Sequence, residues 1–261
     1  MAYQRAYFPM DVLNITQGYG TTSGTHKNSY AIDFSGKDGG EDNVYAPFDC
    51  KITKLYQPKD TSKSATTVWL TSTKKVLCSN GYYGYLTMSI THPEEISKMK
   101  LGTKYKQGAF VCKEGKTGRA SGNHIHLELS TGTKAGWVVI NGDYVNVNRV
   151  KPEEYLFLKE NCVVKKDTYK NKKYKFYKES ELTYIVNNVD NPPLNIHTSA
   201  DTKKSTVNNQ GVCLKNGKEV ISFFKKNNMS YIYHYEAMGY VVSKYLKKKY
   251  FYLQLSFKEK S

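Results

Sequence analysis

The segment HIHLEL at residues 124–129 sets two imidazoles and a carboxylate at every second position. In a strand successive side chains alternate faces, so His124, His126 and Glu128 share one side while Ile125, Leu127 and Leu129 share the other. Two imidazoles about 7 Å apart on a rigid strand suit one metal centre, or one binds metal while the other handles a proton. Glu128 reads either as a partner that orients an imidazole or as an edge-of-sheet carboxylate.

Two further segments add donors of the same kind. In THKNSYAIDFSG, His26 adjoins a turn and Asp33 lies on a strand, pointing opposite to Ile32 and Phe34. In MSITHPEE, His92 ends a strand. All four histidines of residues 1–160 thus fall at turns or on polar faces. Imidazoles with a carboxylate make a mixed nitrogen and oxygen set, which suits zinc better than the oxygen-only sites of calcium or magnesium.

These segments, with NITQGYG (14–20), NVYAPFDCKITKLY (43–56), GAFVCKEGKTGRASGNHIHLEL (108–129) and KPEEYL, follow an order that resembles the lysostaphin-type zinc metallopeptidases. The resemblance implies an antiparallel β-sheet domain with one zinc ion per chain, held by His26, Asp33 and His126. It implies acid-base roles for His92 and His124, and cleavage of peptide bonds in the stem peptide or cross-bridge of bacterial peptidoglycan. Six residues separate His26 from Asp33 where the family usually has three. A longer loop still lets both reach one ion at about 2.0–2.2 Å. In the expected chemistry, zinc activates a water, His124 takes its proton and His92 hydrogen-bonds the developing oxyanion.

The elements that must position these residues read as mainly β. Residues 1–162 carry short period-2 runs punctuated by Gly, Asn and Asp, with helix starts expected only at residues 93–99 and 151–158, where Pro precedes two glutamates. Glycines in TGRASGNH (117–124) shape a tight loop at the cleft rim, and the phosphate-cradling glycine patterns are absent. A polar, lysine-rich stretch at 163–180 reads as a linker. Residues 181–250 hold five short strand-like runs, LTYIV, PLNIHTS, EVISFFKK, SYIYHY and GYVVSKYL, which suggest a small barrel. Through PLNIHTSADTKKSTVN, LKNGKEV and GYVVSKYL this part resembles the bacterial SH3-like domains of wall hydrolases. Tyr231, Tyr233, Tyr235 and Tyr240 are its candidates for contact with peptide or glycan, while His197 and His234 read as ordinary strand histidines. The terminal YLKKKYFYLQLSFKEKS reads as a last strand with solvated lysines.

The net charge of +16 favours a polyanionic partner. It divides as +5 over residues 1–160 and +11 over the remainder, so peptidoglycan and anionic wall polymers are the expected partners of the second domain. No helix-turn-helix, zinc-finger or basic-aromatic RNA motif supports nucleic acid, and no run of about 18 apolar residues supports membrane insertion. A monomer is expected. The opening MAYQRAYFPMDVLNITQGYG has no apolar signal-type run, so synthesis in the cytoplasm and action on the wall after release, as for a phage endolysin, are expected. Five scattered cysteines, Cys50, Cys78, Cys112, Cys162 and Cys213, read as free thiols. The competing readings are a cysteine-nucleophile wall hydrolase and a non-catalytic wall-binding protein on a degenerate peptidase scaffold.

Overall fold

The computed structural model describes residues 3–19, 26, 29–133, 137–140, 143–146, 148–165, 168–169, 172–187, 189, 193–201, 205–235 and 237–249. The chain is mainly β and separates into two compact units, Ala2–Lys178 and Glu179–Ser261.

The first unit is built on a nine-stranded sheet. Its strands are β1 (Val12–Gln17), β2 (Ile32–Ser35), β3 (Cys50–Tyr56), β4 (Thr67–Ser72), β5 (Leu86–Thr91), β6 (Lys104–Tyr105), β7 (Ile125–Thr131), β8 (Arg149–Val150) and β9 (Val163–Lys165). The order is β9-β1-β2-β7-β5-β4-β3-β6, with β8 also on β7, and every pairing is antiparallel except β1 with β9.

Register divides the sheet into an apolar face and a polar face. On one side Ile32, Leu127, Ile90 and Val68 lie opposite one another across four strands, and they join Phe8, Phe34, Phe48, Leu70, Met88 and Leu129 in the buried core. On the other side the cross-strand row runs Gln17, Asp33, His126, Thr91 and Thr67. Alternation therefore puts Asp33 directly beside His126 while their neighbours fill the core. Hydroxyl pairs continue this polar face, with Thr67 to Thr91 at 3.0 Å, Thr71 to Thr87 at 3.0 Å and Thr53 to Thr71 at 2.8 Å.

Two expected elements differ. Residues 93–99 form turns instead of a helix: Pro93 O accepts the Thr66 hydroxyl, and Ser97 N donates to the Glu95 side chain in place of a helical carbonyl. The second helix start yields one turn, Pro152–Tyr155. Residues 163–180 are not a free connector. Val163–Lys165 extends the sheet, Tyr174 is buried in the first core, and Tyr177–Lys178 pairs with Phe157–Leu158. Tyr174 and Phe176 supply apolar surface that the surrounding lysines mask in the composition.

The second unit has a five-stranded antiparallel sheet of β10 (Thr183–Val186), β11 (Glu219–Lys226), β12 (Met229–His234), β13 (Ala237–Val242) and β14 (Leu246–Lys248), ordered β13-β12-β11-β10-β14. Val186, Leu194, Ile196, Leu214, Val220, Ile232, Ala237 and Val241 form its own core. The run PLNIHTS contributes isolated bridges at Leu194 and His197 and no strand of this sheet. Tyr233 is buried, Tyr231 and Tyr240 face each other at 4.9 Å, Phe224 stacks on Tyr231 at 5.2 Å, and Tyr235 is exposed. Residues 250–261 of the expected last strand lie outside the described residues. Among the described residues no helix is long and apolar enough to cross a membrane.

Candidate metal centre

His26, Asp33 and His126 offer ligand atoms that all lie within 4.8 Å of one another. Asp33 and His126 meet through the β2–β7 register, and His26 reaches them from the turn before β2. His26 Nδ1 is 3.1 Å from the Ala31 carbonyl, which can only accept. Its proton is therefore on Nδ1, and Nε2 presents a lone pair. That Nε2 is 3.0 Å from Asp33 Oδ2 and 3.2 Å from His126 Nδ1.

The far side of His126 is also furnished. Its Nε2 lies 3.6 Å from Glu128 Oε1, and Glu128 is in turn 3.7 Å from Arg149 Nη1. Those separations are electrostatic contacts rather than hydrogen bonds. Asp33 Oδ1 lies 2.9 Å from His126 Nδ1 but out of line with it, and it is a buried acceptor with no hydrogen-bond donor. Three lone-pair groups thus converge in a buried place where acceptors outnumber protons. A cation satisfies them together, so the residues present fit a metal of the zinc type.

Electrostatics follow from this crowding. Burial works to raise the Asp33 carboxyl, but the adjoining imidazoles of His126 and His26 outweigh it and hold it well below the usual carboxylate range. Burial works to lower His126, and the carboxylates of Asp33 and Glu128 outweigh it, raising the imidazole to about 9. Without a metal, one proton does part of a cation's neutralising work.

His92 and His124 stand beside this cluster with ring centroids 4.5 Å apart. His124 Nδ1 is 2.8 Å from the Gly122 carbonyl and His92 Nδ1 is 2.6 Å from the Thr117 carbonyl. Both carbonyls only accept, which leaves each Nε2 as the basic nitrogen. Burial, opposed by the Thr117 bond, lowers His92 to about 4 and keeps it neutral near pH 7. His92 also adopts φ 80°, a left-handed conformation unusual for a residue with a side chain.

One glycine makes this arrangement possible. Gly115 pairs with His124, and a Cβ on it would come within 2.6 Å of Glu94 N and 2.7 Å of His92 O. Only glycine allows that close approach. The sequence motifs found the five histidine and aspartate positions; they did not find Gly115, the carbonyls of Ala31 and Thr117, or Arg149. Backbone acceptors carry no residue-type signal, and Gly115 stands in a glycine-containing loop with several equivalents.

Asp33, His92, His124 and His126 line a cleft of about 490 Å³ that also reaches Arg119, Asn123 and Lys63. His26 is fully buried behind it, at a turn as expected. The four buried cysteines make a poor alternative. Cys50, Cys78, Cys112 and Cys162 are buried and free, and burial pushes the thiols of Cys50 and Cys112 up to about 12 and that of Cys162 to about 11. A nucleophilic cysteine needs the opposite shift.

No protein-family model matches the chain. Over 136 residues it is 41% identical to morphogenesis protein 1 of Bacillus phage B103, a match that takes in 52% of this chain and 35% of that protein. The chain thus spans about a third of the length of the curated relative it matches. Among solved structures it is similar to the catalytic domain of the antimicrobial peptidase lysostaphin from Staphylococcus simulans, at 16% identity and a TM-score of 0.33 over 57% of this chain and 89% of that one. It is also similar to LytU, at 18% identity and a TM-score of 0.37 over 54% and 82%. The solution structure of lysostaphin overlaps 91% of this chain and 92% of its own, at 15% identity and a TM-score of 0.36.

Proposed function

We propose that the first unit is a zinc endopeptidase that hydrolyses peptide bonds of bacterial peptidoglycan, with His26, Asp33 and His126 holding one zinc ion. The observation that carries this reading is the convergence of His26 Nε2, His126 Nδ1 and the Asp33 carboxylate, with Asp33 Oδ1 lacking any donor. Bound zinc supplies Lewis-acid activation of a water and of the amide carbonyl.

The chain's own groups then manage the proton. His124 and His92 each commit Nδ1–H to a carbonyl, so each offers a basic Nε2. The two rings lie 4.5 Å apart, close enough to act on one bound substrate. His124, whose Nε2 is 3.8 Å from Asp33 Oδ2, is the nearer base. His92 has no proton on Nε2 at rest, so it acts as a donor to the oxyanion or the leaving amine only once the pair has taken up the proton. This adds a proton-uptake step to the expectation that His92 hydrogen-bonds the developing oxyanion.

The second unit is assigned to wall binding as an SH3-like module. Support comes from its separate core and the aromatic stripe of Phe224, Tyr231 and Tyr240 across three strands, whereas the lysine-rich residues 161–178 that raised the charge of the C-terminal half fall in the first unit. Glycan or peptide fits the aromatic stripe. In this reading the chain works as a monomeric endolysin on the wall after release.

The test is solubilisation of purified walls by the full chain after treatment with a chelator or a thiol-alkylating reagent. Chelation abolishes release of peptides and zinc restores it, while alkylation leaves it intact. The reverse pattern replaces the metal reading with a cysteine nucleophile.

A further inference from the structure

The cleft over the metal centre carries more positive charge than the proposed chemistry uses. Its lining includes Arg119 and Lys63, and its one carboxylate, Asp33, is engaged with His26 and His126. No carboxylate among the described residues pairs with Arg119. Lys63 has only an exposed contact with Asp60 at 3.1 Å, which is easily exchanged.

The segment bearing Arg119 is held in place. Gly118 has φ +79° and lies so near Ala65 that a Cβ would be 2.8 Å from Ala65 N. Gly118 N donates to Thr61 O, Thr66 N donates to the Thr117 hydroxyl at 3.1 Å, and the two threonine hydroxyls are 2.9 Å apart. The Thr117 carbonyl meanwhile fixes His92. One short segment therefore sets a proton-handling imidazole and fixes the backbone from which Arg119, whose planar fork matches a carboxylate, extends into the cleft lining.

We propose that Arg119, assisted by Lys63, is a specificity-determining anion site, and that the substrate is a peptide with a free carboxylate next to the scissile amide. This rests on the peptidase reading above and narrows its substrate class. The guanidinium would bind the carboxylate at the cleft rim while the amide lies over His124 and the metal ligands.

The test separates binding from turnover. Two probes are used, an acetylated tripeptide ending in D-Ala with a free carboxylate and its carboxamide twin. Each is titrated calorimetrically into the full-length, zinc-loaded His124→Ala protein, with and without Arg119→Gln. The carboxylate probe should bind about five- to ten-fold more tightly than its twin, and Arg119→Gln should erase that difference while leaving carboxamide binding unchanged. Arg119→Lys should keep part of the preference. Equal binding of the twins, binding of neither, or a preference that survives Arg119→Gln overturns the proposal. Failure of the peptidase reading shows separately, as unmodified full chain with zinc that releases nothing from purified walls.

Discussion

Glu128 Oε1 lies 3.6 Å from His126 Nε2, on the side of the ring away from Asp33. With Arg149 beside it, Glu128 is a buried carboxylate placed to orient the imidazole. Glu128→Ala should weaken zinc affinity by about 10- to 100-fold, the usual worth of such a partner. A competition titration against a chromophoric chelator measures this, with circular dichroism as the check on folding. Unchanged affinity in a folded variant would make Glu128 an ordinary sheet carboxylate.

His124 does not belong to the trio that converges on one point. His124→Ala should retain zinc and lose activity by about 10²- to 10⁴-fold, as expected for general acid-base assistance. Loss of the metal from this variant would make His124 a ligand instead.

Gly115→Ala introduces a methyl group against the backbone of His92 and Glu94, at 2.6–2.9 Å. Backbone cannot step aside as a flexible side chain can, so a stability loss of about 1–3 kcal/mol is expected. Because the displaced atoms include His92 O, activity should fall at temperatures where the variant is still fully folded. Thermal melts paired with wall-release assays distinguish this from global unfolding.

The boundary between the units also has a measurable consequence. Tyr174 packs against Tyr19 at 5.5 Å and Phe176 against Phe8 at 5.4 Å, both within the first unit. Truncation after residue 165 removes both rings and should cost about 3–5 kcal/mol or more, by analogy with deletion of a buried aromatic side chain. Truncation after Lys178 should preserve the melting temperature of the first unit. Equal stability of the two truncations would return residues 163–178 to the status of a linker.

How much of this was legible beforehand follows from what kind of signal each feature leaves. The alternation in HIHLEL and in AIDFSG fixed which side chains face the core, and the observed register agrees with it at Leu127, Ile32 and Asp33. That the trio would meet required knowing that β2 and β7 are neighbours, which local pattern does not encode. The Pro-Glu-Glu starts of residues 93–99 and 151–158 are alike, yet only the second forms a helical turn. Tertiary contacts to Thr66 override local propensity in the first. Among the tyrosines of the second unit, Tyr233 is core and Tyr235 is exposed although both lie at odd positions of one run, because the strand ends at His234.

Glu114 provides a pH test away from the centre. It is fully buried, accepts backbone N–H groups of Gly36 and Asp42, and burial raises it to about 7 from an ordinary 4.5. A carboxyl raised on folding contributes stability that is fully present below about pH 4.5 and is lost as pH rises through about 7. The loss is at most on the order of 3 kcal/mol. Denaturant unfolding between pH 4.5 and 8 should show this decline in the parent protein and a flatter profile in Glu114→Gln. Parallel profiles would contradict the assignment.

Zinc content tests the proposed role of His26, Asp33 and His126 as holders of the catalytic metal. The most direct measurement is elemental zinc content of the full chain and of His126→Ala, alongside mass spectrometry of peptides released from purified walls. One zinc per parent chain is expected, with newly freed amino termini in the wall peptides, and neither in the variant. Stoichiometric zinc in His126→Ala, or wall cleavage by a parent chain free of metal, would contradict it.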